Sequence, residues 1–94
     1  MAEMSHISAR VHGRVQGVFF RHFVMDIARN LRLKGYVRNL ASGDAVEVQA
    51  EGETQNLQKL VESLRAGPPG AQVRQLELNW SSCSGRYRDF DIRY

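Results

Sequence analysis

Arg21 closes the stretch GRVQGVFFR, residues 13–21, behind a segment that holds two glycines and an amide, Gln16. The residues before this segment alternate like a strand, and those after it repeat like a helix, so it reads as a loop feeding a helix N-terminus. The first N–H groups of a helix have no internal partner and can point at a phosphate. Successive amides in a tight loop add a concave nest for oxygens. Gly17, in the middle of the loop, permits the backbone angles and close approach this needs, and Gly13 closes the strand. Arg21, in the first helical turn, can reach back and bind two phosphate oxygens at once. A cation at that end opposes the helix dipole by about 0.3–1 kcal/mol, a cost that a bound anion offsets. A surface arginine above a plain βα turn accounts for the same residues and stays open on these grounds.

A second candidate is Asn39, in GYVRNLASG, residues 35–43. An asparagine at the end of a strand commonly serves the following turn by bonding its own backbone. Its amide also offers a donor and an acceptor that can position a water. The overlapping KGYVRN begins like an RNA-recognition strand, but Arg38 and Leu40 stand where aromatic rings are needed. It also falls on the second strand, whereas the RNA motif belongs on the third.

These residues need elements to hold them. Ile7, Ala9 and Val11 share one face of a first strand, and His6, Ser8, Arg10 and His12 share the other. His6 and His12 read as surface or sheet-face residues, neither ligands nor bases. From about Arg21 to about Leu33, Phe23, Ile27 and Leu31, with Val24 and Ala28, form the stripe of an amphipathic helix, and Gly35 is placed to stop it. His22 reads as solvent-facing. A short strand, YVRNL, a turn at residues 42–44 and the alternating AVEVQAEG make a hairpin. Leu57, Leu60, Val61 and Leu64 mark a second helix that ends at Gly67 before two prolines. The strand carrying Leu76, Leu78 and Trp80 begins near Gln75 or holds a bulge. Phe90, Ile92 and Tyr94 close the chain in register. Trp80, Phe90 and Tyr94 are expected in the core or at the closing edge, with Arg93 and Tyr94 anchoring the last strand. The order β-α-β-β-α-β implies an α+β, ferredoxin-like split βαβ sandwich, an antiparallel sheet with two helices on one face and a possible extra terminal strand.

With 94 residues the chain suits one domain, residues 1–94, and its 43% hydrophobic and 24% charged content is that of a globular protein. Cys83 is the sole cysteine, so no internal disulfide forms; it lies in a Ser-rich loop without an activating partner. The N-terminal MAEMSHIS lacks an apolar run, and no stretch is long enough to span a membrane. A reducing, cytoplasmic setting is expected. The formal charge of +3 favours anionic partners but is too small to argue for nucleic acid.

GRVQGVFFR, GYVRNLASGDAVEVQAEG and the closing FDIRY together resemble the acylphosphatase family over nearly the whole chain. The resemblance implies an enzyme that hydrolyses the carboxyl–phosphate bond of acylphosphates, without metal or organic cofactor, acting as a monomer and releasing inorganic phosphate. It maps the family's catalytic arginine onto Arg21 and its catalytic asparagine onto Asn39. The phosphate loop maps onto Val15, Gln16, Gly17, Val18, Phe19 and Phe20, through their backbone N–H groups. Leu40 stands where many members carry threonine. The same module occurs as an N-terminal domain of larger hydrogenase-maturation proteins, whereas a free-standing unit is expected here. A non-catalytic phosphate- or acylphosphate-binding regulatory module on the same fold would share the loop and Arg21 but would not need Asn39 to orient water.

Overall fold

The structure is a computed structural model and describes residues 2–94, Met1 lying outside the described residues. The alternating first segment forms β1 (Met4–Arg14), which leads through a five-residue loop into α1 (Phe20–Asn30). There follow β2 (Lys34–Asn39), β3 (Ala45–Glu53), α2 (Thr54–Ala66), β4 (Gln72–Ser82) and β5 (Phe90–Arg93). The sheet order is β4-β1-β3-β2-β5. All neighbours run antiparallel except β2 and β5, which are parallel, so the extra terminal strand is real and makes the sheet mixed. The order β-α-β-β-α-β is as expected, and α1 lies over β2 and β5 while α2 lies over β1, β3 and β4. No helix among the described residues is long and apolar enough to cross a membrane.

Register explains the core. Ile7 lies opposite Ala50, Ala9 opposite Val48 and Val11 opposite Val46, so the inward sets of β1 and β3 stack row on row. Each of these residues is fully buried or nearly so. Leu57, Leu60, Val61 and Leu64 bury the stripe of α2. In α1 the fully buried stripe is Phe20, Val24 and Ala28; Phe23, Ile27 and Leu31 flank it, half-buried, rather than forming its centre.

Of three local expectations, two change and one, left open between two alternatives, is decided. First, α1 ends at Asn30, well before Gly35. Arg32 takes a left-handed φ of 58°, its N–H donates to the Arg29 carbonyl, and the Leu33 N–H donates to the Ala28 carbonyl. That pair of bonds is a Schellman cap with arginine where glycine is usual. Gly35 instead lies within β2, where the Gln49 carbonyl comes so close that no Cβ would fit. Second, β4 begins at Gln72 and carries the bulge: His12 pairs with Gln75 and Gly13 with Val73, leaving Arg74 as the extra residue. Third, Trp80 sits on edge strand β4 and is exposed, and Tyr94 lies beyond β5 and is almost wholly exposed, while Phe90 is fully buried. Tyr94 therefore does not anchor the last strand.

The sheet face away from the helices is polar, and the β4–β5 loop folds over one end of it. His6 is on this face but buried, its ring stacked on Tyr87. His6 Nδ1 lies 2.7 Å from Glu51 Oε2 and His6 Nε2 lies 2.6 Å from Gln49 Oε1. The Ser84 N–H and hydroxyl and the Gly85 N–H also donate to Glu51, and the Cys83 thiol reaches it at 3.5 Å. Burial alone would raise the Glu51 carboxyl, but these donors, led by Ser84, bring it down to about 2. Glu51 is thus the clamp that holds the loop to the sheet.

Candidate active site

The alternation of β2 puts Gly35, Val37 and Asn39 on one face. Val37 pairs with Val48, and Asn39 pairs with Val46, which in turn lies opposite Val11. Asn39 therefore faces the helix side at the end of the sheet where β1 runs out into its loop. This settles the adjacency that the sequence leaves open: Val15, Gly17, Phe19, Phe20, Arg21, His22 and Asn39 line one cavity of about 220 Å³.

The loop is built to expose donors. Gly17 has φ 75° and Phe19 has φ 57°, both left-handed. Gly17 has open space around it, so backbone angle and not room demands glycine there. Among the described residues, no backbone N–H of residues 16–22 donates to another group of the protein. The side chains of Val15 and Phe20 are fully buried and anchor the two ends of the loop in the core. Val18 is half-buried against the same core. Phe20 is the first residue of α1 and so supplies both a core side chain and one of the free helix-end amides.

The Gln16 side chain has a role that sequence reasoning missed. Its Nε2 donates to the carbonyls of Leu40 at 2.9 Å and Ala45 at 2.8 Å. Two carbonyl partners require the nitrogen end of the amide, so the orientation is chemically determined. These bonds fasten the loop to the β2–β3 turn and hence to Asn39. Leu40 takes part through its backbone: its N–H donates to the Ala45 carbonyl at 3.0 Å. The signal was present in the sequence as a long amide amid apolar loop residues, but its partners lie 24 and 29 residues away.

Arg21 is half-exposed at the cavity, and among the described residues no carboxylate pairs with it. Its guanidinium carbon lies 4.8 Å from the centre of the Tyr94 ring, a cation–π contact. Tyr94 is the second residue that sequence reasoning missed. The parallel register Arg38 to Arg93 places the residues that follow them, Asn39 in β2 and Tyr94 just beyond β5, at the same end of the sheet. Arg93 turns elsewhere, its guanidinium carbon 3.9 Å from the centre of the Tyr36 ring. His22 is exposed, as expected, and lies at the cavity mouth edge-on to Phe19.

Asn39 makes no hydrogen bond to another described residue through either end of its amide, and its Oδ1 is buried without a partner. A buried unpartnered amide oxygen costs free energy, and a fold that keeps one commonly does so for a ligand, a water or a reaction. The cavity thus joins an unpaired guanidinium, a row of free amides and an unused amide side chain. That set can hold a tetrahedral oxyanion and place a small polar molecule beside it.

The family model described as Acylphosphatase matches residues 7–92. A protein of Dehalococcoides mccartyi named Acylphosphatase is 48% identical over 91 residues, spanning 97% of this chain and 100% of its own. The crystal structure of acylphosphatase from Bacillus subtilis superposes with a TM-score of 0.91 at 37% identity, covering 96% of this chain and 99% of that one. The structure of an acylphosphatase from Coxiella burnetii gives 0.89 at 40% identity, with 97% and 94% covered.

Proposed function

The chain belongs to the acylphosphatase family, and on that premise we propose that it hydrolyses the carboxyl–phosphate bond of acylphosphates at the cavity formed by the β1–α1 loop, Arg21 and Asn39. The observation that carries the reading is the unpartnered Asn39 amide lining the same cavity as the unpaired Arg21.

In this reading the N–H groups of Gln16, Gly17, Val18, Phe19 and Phe20 hold the phosphoryl oxygens, with Val15 at the root of the loop. Arg21 grips two of those oxygens and follows the charge as it shifts in the transition state. Asn39 fixes a water on the far side of phosphorus from the leaving group. The water oxygen forms the new bond to phosphorus as the bond to the carboxyl oxygen breaks, and the carboxylate departs with that electron pair. A carboxylate is a good leaving group, so no strong general acid is needed. The proton of the attacking water passes to a phosphoryl oxygen, and inorganic phosphate and the free carboxylate are released.

The test is hydrolysis of benzoyl phosphate in excess EDTA by the parent, Arg21→Ala and Asn39→Ala, with inorganic phosphate binding measured on each. The expected result is a fast parent, both variants slowed by about 10²–10³ or more, and retained phosphate binding in Asn39→Ala. A parent that binds phosphate without turnover would make the cavity a receptor and overturn the hydrolytic reading.

A further inference from the structure

Phe19 is the N-cap residue of α1, yet its side chain makes no capping bond. It does not serve the core either, since 82% of it is exposed. Its left-handed backbone is costly for any residue with a Cβ. A large apolar ring is therefore held out in water, in an unfavourable conformation, on the lining of the cavity that holds Arg21 and Asn39. His22 meets it edge-on at 6.5 Å between ring centres and lines the same cavity, and a further exposed ring, Tyr94, stands 4.8 Å from the Arg21 guanidinium carbon. The mouth above the anion cradle is thus rimmed by rings. A ligand whose phosphoryl group sits on the loop amides must project its other end past that rim.

We propose that Phe19 sets the acyl preference of the site, so that acylphosphates with an aromatic or other compact apolar acyl group are favoured over the smallest aliphatic ones. The proposal rests on the hydrolytic reading above and deepens it. The physical basis is burial of the acyl group against an exposed ring, which gains free energy as apolar area leaves water and, for an aromatic acyl group, from ring–ring contact. At about 220 Å³ the cavity lies below the size of drug-like ligand sites, which suits a phosphoryl group with one small substituent.

The experiment measures kcat/KM for benzoyl phosphate and acetyl phosphate side by side on the parent, Phe19→Ala, Phe19→Gly and Phe19→Trp. Both probes carry the same phosphoryl group, so damage to the cradle cancels in the ratio of the two values. The benzoyl-to-acetyl ratio is expected to fall about tenfold in Phe19→Ala and Phe19→Gly and to persist in Phe19→Trp. Glycine relaxes the left-handed backbone without restoring a ring. A ratio lost in Phe19→Ala but kept in Phe19→Gly would assign the effect to strain and overturn the proposal. An unchanged ratio in both would overturn it as well, while leaving the hydrolytic reading intact if both probes are turned over. A parent that turns over neither probe overturns both.

Discussion

Replacing Gln16 by methionine keeps side-chain length and removes both bonds to the β2–β3 turn. A hydrogen bond of this kind contributes about 0.5–1.5 kcal/mol net. Neither carbonyl is orphaned by the change, because the Leu40 carbonyl still accepts from the Gly43 N–H at 3.2 Å and the Ala45 carbonyl from the Leu40 N–H at 3.0 Å. The loss therefore falls at the low end for two bonds, about 1–2 kcal/mol, and lowers Tm by about 5–15 °C for a domain of this size. The larger effect is on rate. Gln16 is the side chain that sets the distance between the loop amides and Asn39, and a misplacement of about 1 Å can cost about 100-fold. Gln16→Met is expected to lower kcat for benzoyl phosphate by about 10–100-fold. Inorganic phosphate affinity should change by less than about threefold, because the amides themselves remain. The assays are steady-state kinetics, phosphate titration by calorimetry and a thermal melt. A kcat within twofold of the parent, alongside the expected fall in Tm, would refute the positioning role and leave Gln16 as a structural staple.

Three further outcomes are expected. Arg21→Lys keeps the charge but loses the fork, so kcat/KM should fall by at least about 100-fold; near-parental activity would remove the two-oxygen grip. Tyr94→Ala should lower kcat/KM about two- to fivefold, the equivalent of an exposed cation–π contact of about 0.5–1 kcal/mol, and Tyr94→Phe should restore it, as read by kinetics at low ionic strength. Glu51, at about 2 against an ordinary 4.5, is depressed in the folded state, so its contribution is full above about pH 5 and disappears as pH falls toward 2. That depression corresponds to about 3 kcal/mol. Urea midpoints of the parent and Glu51→Gln should therefore differ at pH 7 and converge near pH 2, and a gap independent of pH would exclude the carboxylate clamp.

Much of this molecule is legible along the chain because the signals are local. Alternation at Ile7, Ala9 and Val11 gives a half-buried strand wherever that strand goes. The stripe of Leu57, Leu60 and Leu64 gives a helix, and Gly67 ends it. A glycine loop ahead of a helical arginine reads as an anion site because helix-end amides are free in any tertiary context. The stop of α1 is not legible in the sequence because an αL cap is marked by glycine in most helices, and here Arg32 adopts it with Leu33 buried behind.

What the sequence by itself determined is the set of elements, their order and the presence of a cation beside free amides. The tertiary structure alone decided what stands next to that cation. Asn39 reaches the cavity because β3 pairs with both β1 and β2 in a register that carries Val11, Val46 and Asn39 across one face. Tyr94 reaches Arg21 because β5 joins β2 in parallel. Gln16 finds its two carbonyls, and His6 its carboxylate partner Glu51, through contacts 24 to 45 residues apart. Side-chain periodicity is set by the backbone of one element, whereas strand neighbours and register follow from the burial of all elements together, which no single segment encodes.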